Sequence, residues 1–512
     1  MRFVVFLLVL TITILPIFTV AAQSPLRGPV ITPDNAAQLE LIATLGRGEV
    51  SELLWTPDDK QLIVVSTNAL SIYTMGDWDH PQVIVIESPP LIDAALAPDG
   101  ASIALLLSGQ IQIFDTTDWK ETLRIETPTN AYGEIQPTLT YTGDYVIHWA
   151  AEKQVLLVHD SHTGEEVNTI ATLGMTSVLV SGSEPLFVAA TYLDNLQYSS
   201  LPPDFMLPAN NEYGALLLDH KKLAVEPIKH IRGVDYLSDQ QVMAVVGTTD
   251  EEFYYLPETA GCTSRKWQEM GTPAEKGHLI LVDTASESQI INVAMDALDR
   301  VALSPAGAEV AVGQCVEWDA QCLYFQMSLL DYEGKEKAKL PGLLPGAVNT
   351  LRYSPTGQFL AASNGIAVRV WDTKNREEVA LLHGFSTGSP AMVLNDTYLA
   401  VGSFANYPFL GVTIWDLRTL ESMAYLPCIG AIALHDTQLV CGDELWQIDT
   451  TPPRLLLHIP GAKSTGNAAF SSDGSLIALA DRSQQTLVLW DVNDQAVVAS
   501  VSGLQTGYLE FS

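Results

Sequence analysis

Positive charge is scarce in this chain. Lys and Arg number 26 against 60 Asp and Glu, for a formal net charge of −34. Such a surface repels phosphate backbones, which argues against nucleic acid as a partner. The acids are dispersed rather than run together, so they read as a solvated surface and not as a cation-binding tail. Cysteine is scarce too: five occur, none at CxxC spacing, which argues against a zinc or redox site. The chain has no Gly-x-Ser-x-Gly, P-loop, dinucleotide-binding glycine turn, His-Glu-x-x-His or Asp-x-Asp-x-Asp-Gly. The common hydrolase, nucleotide, metalloprotease and calcium signatures are therefore missing, and no cofactor is expected. His159 and His162 are three apart but fall at a strand end and in the following turn, a poor setting for a shared metal.

Long apolar runs are lacking after the N-terminus. Met1-Arg2 precedes an apolar run from Phe3 to Val20, and Val20-Ala21-Ala22 offers small residues before Gln23. Residues 1–22 thus read as a secretory signal peptide cleaved near Ala22, which implies a secreted or extracytoplasmic protein. An uncleaved membrane anchor is the alternative. The cysteines fit an oxidising compartment. Cys315 and Cys322 flank a short polar loop, and Cys428 and Cys441 lie about the turn at His435-Asp436, so both pairs are candidate disulfides; Cys262 is left over.

What is present is a repeat, recurring about every forty residues, and a period of that size means one supersecondary unit stacked many times. Its turn reads Trp55-Thr-Pro-Asp-Asp59, Ala97-Pro-Asp-Gly100, Ser304-Pro-Ala-Gly307, Ser354-Pro-Thr-Gly357 and Ser471-Ser-Asp-Gly474. Each unit reads as four short strands, A to D, with apolar alternation and turn residues between. Ten A–B turns fall near Pro57, Pro98, Thr142, Gly182, Ser238, Pro305, Pro355, Asn395, Asp436 and Ser472. The C strands end in Asp115, Asp160, Asp219, Asp283, Asp331, Asp372, Asp416, Asp449 and Asp491; the first has Tyr73-Thr74 instead. These Asp residues are expected to form turns by accepting backbone N–H bonds, not to be catalytic.

The Trp-Asp pairs at 371–372, 415–416 and 490–491 and the Ser-Pro-x-Gly turns resemble the WD40 family of β-propellers, in the style of secreted bacterial members, over nearly all of residues 37–512. The family's Gly-His before strand A is missing, so blades are expected to hold by apolar packing between sheets. The resemblance implies an all-β fold of about ten four-stranded blades: one seven-bladed ring plus part of a second. The expected layout is a linker at 23–36, a first propeller over 37–376, and further blades over 377–512, the second ring starting with its own D strand near Glu378 and incomplete at Ser512. A D-like strand at 39–44 is expected to complete the last blade of a ring. One large or irregular ring is the alternative.

Two B–C connections are long, at 193–212 and 249–277. With the Cys315–Cys322 loop and 403–411 they carry Tyr198, Phe205, Phe253, Tyr254, Tyr255, Trp267, Phe404, Tyr407 and Phe409. In the family such loops share one face of the disc, and aromatic loops on a rigid scaffold are common binding anchors. A self-packed cap is the competing reading. The function expected is a non-enzymatic exported scaffold for a protein, a peptide or a cell-envelope component. The alternative is the propeller part of an enzyme or sensor, with catalysis in the central channel or beyond Ser512.

Overall fold

A computed structural model describes residues 32–34, 37, 43–86, 90–128, 139–150, 153, 155–171, 177–180, 187–190, 215–217, 230–237, 239–248, 276–286, 288–296, 298–319, 321–386, 390–403, 411–460, 467–481, 485–503 and 509–511. The repeats become ten separate sheets, hereafter blades 1 to 10: residues 50–85, 91–126, 139–171, 177–217, 230–296, 298–345, 350–382, 390–426, 432–458 and 468–502. The second strand of a blade is buried almost throughout, as in Gln61–Ser66 and Phe359–Ser363. Such a strand is apolar on both faces because a neighbouring sheet covers each one.

Eight blades have four strands in simple antiparallel order. Blade 6 adds a short fifth, Leu344–Pro345. Blade 4 departs from the repeat. Its described part has three strands, and Ala215–Leu217 runs parallel to Phe187–Ala190, unlike the antiparallel third strands of the other blades.

Blades 1 to 7 close on themselves. One buried cluster joins Val50, Leu53, Trp55, Leu62, Val64 and Tyr73 of blade 1 to Phe359, Ala361, Val368, Val370 and Leu382 of blade 7, with Phe385 just beyond it. Backbone bonds cross the same seam, from Val50 N–H to Gly365 O at 2.7 Å and from Arg47 N–H to Gly384 O at 3.1 Å. Gly365 has φ +99°, and a Cβ there would run into Asn349 and Glu49, so this turn requires glycine. The closure corrects two expectations. Glu377–Leu382 pairs with Val368–Asp372, so it is the fourth strand of blade 7 and not the start of a second ring. Blade 7 therefore needs no N-terminal strand; Ala43 and Thr44 are not in a strand, and the rest of 39–44 lies outside the described residues.

Blades 8 to 10 form an arc. Val412, Ile414, Ala424 and Leu426 pack on Leu439, Cys441 and Ile448; beyond them Val440 and Leu445 pack on Ile477, Leu479 and Trp490. Both ends of the arc are apolar and open among the described residues. Met392 and Leu394 are exposed on blade 8, and Val497, Val498 and Val501 on blade 10. Leu509 and Phe511 lie against the open face of blade 10, made of Ala478, Leu487, Leu489, Ala499 and Val501.

Candidate functional site

Two regions of the described structure could carry function: the inner strands of the ring and its B–C side. Adjacent blades touch through their first strands, which places those strands innermost. Four carry a carboxylate that bonds across or along the seams. Asp93 accepts from Ala94 N–H and from Leu139 N–H of blade 3, both at 2.8 Å. Asp235 accepts from Tyr236 N–H at 2.9 Å and from Leu303 N–H of blade 6 at 2.7 Å. Asp299 accepts from Val348 N–H at 2.8 Å. Glu52 accepts from Leu53 N–H at 2.8 Å and from the Arg352 guanidinium of blade 7 at 2.9 Å. Bulges beside Glu52 and Asp93 turn these side chains toward the seam.

The electrostatics follow from burial. Burial first, then the charge of Glu52, pushes the Asp93 carboxyl up to about 8, while the two N–H groups and Arg352 pull it back. Burial disfavours the Arg352 cation, yet Glu52, Asp235 and Asp93 together hold it above the ordinary arginine range. A carboxyl with a raised pKa invites a catalytic reading. Both Asp93 oxygens, however, are already committed to backbone N–H groups, as are both of Asp235, so these acids join blades.

On the B–C side the described landmark is the blade 6 hairpin, Glu309–Asp319 with Gln321–Asp331. Its tip is closed by a disulfide, Cys315–Cys322, with S–S 2.02 Å. The second disulfide, Cys428–Cys441, ties the connection between blades 8 and 9 to the second strand of blade 9, with S–S 2.14 Å. Val316 and Glu317 are exposed at the hairpin tip. Further down, burial raises the Tyr324 hydroxyl, and Glu444, Glu317, Tyr425 and Asp443 raise it further. Glu444 and Asp443 belong to the arc, so the hairpin and the arc face each other across an acidic strip.

The arc also sits on the ring. Asn364, in the blade 7 B–C turn, donates to the Tyr425 hydroxyl at 3.1 Å and to Pro345 O at 3.0 Å. Ile366 and Ala367 pack on Tyr425, and the His383 ring meets Ser422 at 2.9 Å. The B–C side of blade 7 is thus covered by the chain itself.

The nine aromatic candidates, Tyr198, Phe205, Phe253, Tyr254, Tyr255, Trp267, Phe404, Tyr407 and Phe409, all lie outside the described residues, as does Cys262. The Asp-ended strands behave as turn formers. Asp115, Asp160, Asp283, Asp331, Asp372, Asp416 and Asp491 each accept from a backbone N–H two to four residues on. Asp219 lies outside the described residues, and Asp449 bonds the Gln447 side chain instead. His162 is in an exposed turn beside Ser161 and shares nothing with His159. No group of three or more His, Cys, Asp or Glu arranged for a metal occurs among the described residues. No helix among them is long and apolar enough to cross a membrane.

The inner carboxylates escaped the sequence reading. Their one signal is an acid inside an otherwise apolar first strand, as in Leu91-Ile-Asp-Ala-Ala-Leu96.

Sheets stacked side by side about a closed ring of inner strands define a β-propeller. The family model "WD domain, G-beta repeat" matches residues 335–372, which cover the fourth strand of blade 6 and most of blade 7. Residues 335–372 are thus similar to a WD40 repeat, and the fold of the described blades is a β-propeller. Solved structures similar to it include the β-propeller domain of Cps50 (Swd1) from Myceliophteria thermophila, at 13% identity and TM-score 0.31, covering 73% of this chain and 99% of that one. Another is KlHsv2 with loop 6CD replaced by a Gly-Ser linker, at 12% identity and TM-score 0.35, covering 64% of this chain and 92% of that one. No curated protein matches the chain.

Proposed function

We propose that this WD40 propeller is an exported, non-enzymatic scaffold that binds a protein or peptide, a cell-envelope component among the candidates, through its B–C side. The observation that carries the proposal is the hairpin of blade 6. A long two-stranded projection is costly to order, and a disulfide at its tip removes much of that cost in advance, as a preorganised contact element requires. Because the arc covers the B–C side of blade 7, the contact surface is assigned to the hairpin and the long connections of blades 4 and 5. There Tyr198, Phe205, Phe253, Tyr254, Tyr255 and Trp267 would be the anchors, with Phe404, Tyr407 and Phe409 on the arc. The acidic strip and the net charge of −34 favour a basic contact segment on the partner. Export rests on the N-terminal apolar segment and suits the two disulfides.

The competing reading, an active site among the inner strands, draws on the raised pKa of Asp93. One experiment separates them. Partner capture is compared for wild type, Trp267→Ala, the pair Tyr254→Ala/Tyr255→Ala, and Asp93→Asn, with melting temperature measured for each. The scaffold reading expects capture to fail in the aromatic variants at unchanged melting temperature. Capture indifferent to all three aromatic changes would overturn it.

A further inference from the structure

Blade 3 breaks the pattern of the other blades at one buried place. The residue before the C-strand Asp is Phe114, Leu330, Trp371, Trp415 or Trp490 elsewhere; in blade 3 it is His159. The residue two places along the second strand from its partner is Leu105, Val312, Ala362, Val401 or Leu479 in those blades; in blade 3 it is His148. Register puts both on the same face as Val146, since Val146 pairs His159 and His148 pairs Leu157. Val146, Leu139 and Tyr141 pack on Ala104, Leu106, Ile111, Ile113 and Ile125 of blade 2. The two imidazoles therefore lie in the seam between blades 2 and 3. Their rings are nearly parallel, 15° apart, with centroids at 5.6 Å. His148 is 0% exposed and His159 4%. Among the described residues the His148 ring nitrogens meet no hydrogen-bond partner, and the His159 ring has the backbone of Gly164 beside it.

We propose that this pair is an acid-triggered latch: protonation of His148 and His159 opens the seam between blades 2 and 3 and exposes its apolar strip. The seam closes most readily over neutral rings, because burial disfavours two like charges side by side in a largely apolar site. Burial first, then His159 and Lys153, pushes His148 down to about 3. Burial likewise lowers His159, against the backbone of Gly164 and the charge of Glu166. Lys153 and Glu166 belong to blade 3 itself. On blade 2, Leu123 and Ile125 flank the Gly164 turn, whereas Glu121 pairs Phe114 across a bulge and so falls on the face toward blade 1, with Arg124 as its ion partner. Tyr141 is bonded by Ser102.

Folded values below the unfolded one mean that the latch is fully closed above about pH 6.5 and weakens as pH falls toward the folded values. Each histidine then raises the open population about tenfold per pH unit. The test is hydrogen exchange of the full chain between about pH 7.5 and 4.5, corrected for intrinsic rates. Peptides covering 103–114 and 145–160 are compared with the 360–371 seam. Expected is a steep rise in opening of the blade 2/3 seam alone, moved down by at least about one pH unit in His148→Leu/His159→Phe. Parallel behaviour of the two seams, or an unshifted variant, would overturn the proposal. Should that variant not fold, imidazole C2–H exchange in wild type decides: midpoints below about 5 support the latch, and ordinary ones near 6.5 refute it.

Discussion

Arg352 is the counter-ion of the inner belt, and its removal should be felt most at alkaline pH. Its guanidinium lies 2.9 Å from Glu52, both side chains being 16% exposed, and it also feels Asp235 and Asp93. Arg352→Met keeps most of the stem but leaves Glu52 facing Asp93 without a cation. Breaking a mostly buried pair from one side costs about 3–5 kcal/mol, and the residual exposure here argues for the low end, about 3 kcal/mol. The pH dependence follows from Asp93. Its folded value is raised, so its contribution is fully present below about pH 3.9 and is lost as pH rises toward about 8. Without Arg352, which pulls the Asp93 value down, that value moves higher, so the loss steepens.

The assay is local opening free energy from hydrogen exchange of peptides spanning 50–55 and 350–353, at about pH 5 and pH 8. A local readout is needed because ring and arc need not unfold as one transition. The expected deficit is small at the lower pH and near 3 kcal/mol at the higher. Adding Glu52→Gln should recover at least half of it, since the unpaired charge is then gone. A deficit under about 1 kcal/mol, or one equal at both pH values, would refute the belt argument.

Further outcomes are expected from the same structure. Replacing Cys428 and Cys441 by Ser frees a loop of sequence separation 13 and should cost about 3 kcal/mol, read as a lowered denaturant midpoint for the arc. The same change at Cys315 and Cys322, separation 7, should cost about 2 kcal/mol and raise exchange mainly in the blade 6 hairpin. Phe385→Ala removes a ring that is 0% exposed where blade 1 meets blade 7, and should cost about 3–5 kcal/mol with the exchange gain centred on that seam. Leu489→Lys with Val501→Lys, on the open face of blade 10, should reduce binding of an apolar dye while leaving the ring's stability within about 0.5 kcal/mol.

How much of this was legible in the sequence depended on whether the signal was local. The turns carried Pro, Asp and Gly at fixed places, and the strands between them are where the periodicity puts them. Asp372 and Asp491 do what a residue ending a C strand does, because an Asx turn needs only its own neighbours. The assignment of Glu377–Leu382 went wrong for the opposite reason. A D strand looks the same whether it serves its own blade or opens another, and only the pairing with Val368–Asp372 decides. The Asp93–Leu139 and Asp235–Leu303 bonds join residues far apart in the chain, so no local pattern announces them. His148 and His159 looked scattered because strand register, not sequence spacing, brings them together.

The inner belt also bears on how the ring holds without the family's Gly-His. In that pattern a polar network would tie strands within a blade. Here polar bonds are spent between blades instead: Asp93 to blade 3, Asp235 to blade 6, Asp299 to the connection entering blade 7, and Glu52 to blade 7. A bond across a seam resists relative sliding of two sheets, which apolar packing alone does weakly because dispersion contacts are not directional. The seams of the ring therefore divide into two kinds. Most of those with a carboxylate clamp are fixed in register at the centre and sealed by aliphatic and aromatic side chains outside it. The blade 2/3 seam has the Asp93 clamp at its centre but two uncharged imidazoles further out. Acid would thus leave the inner edge tied while the outer part loosens, a hinge about Asp93 rather than a loss of the ring.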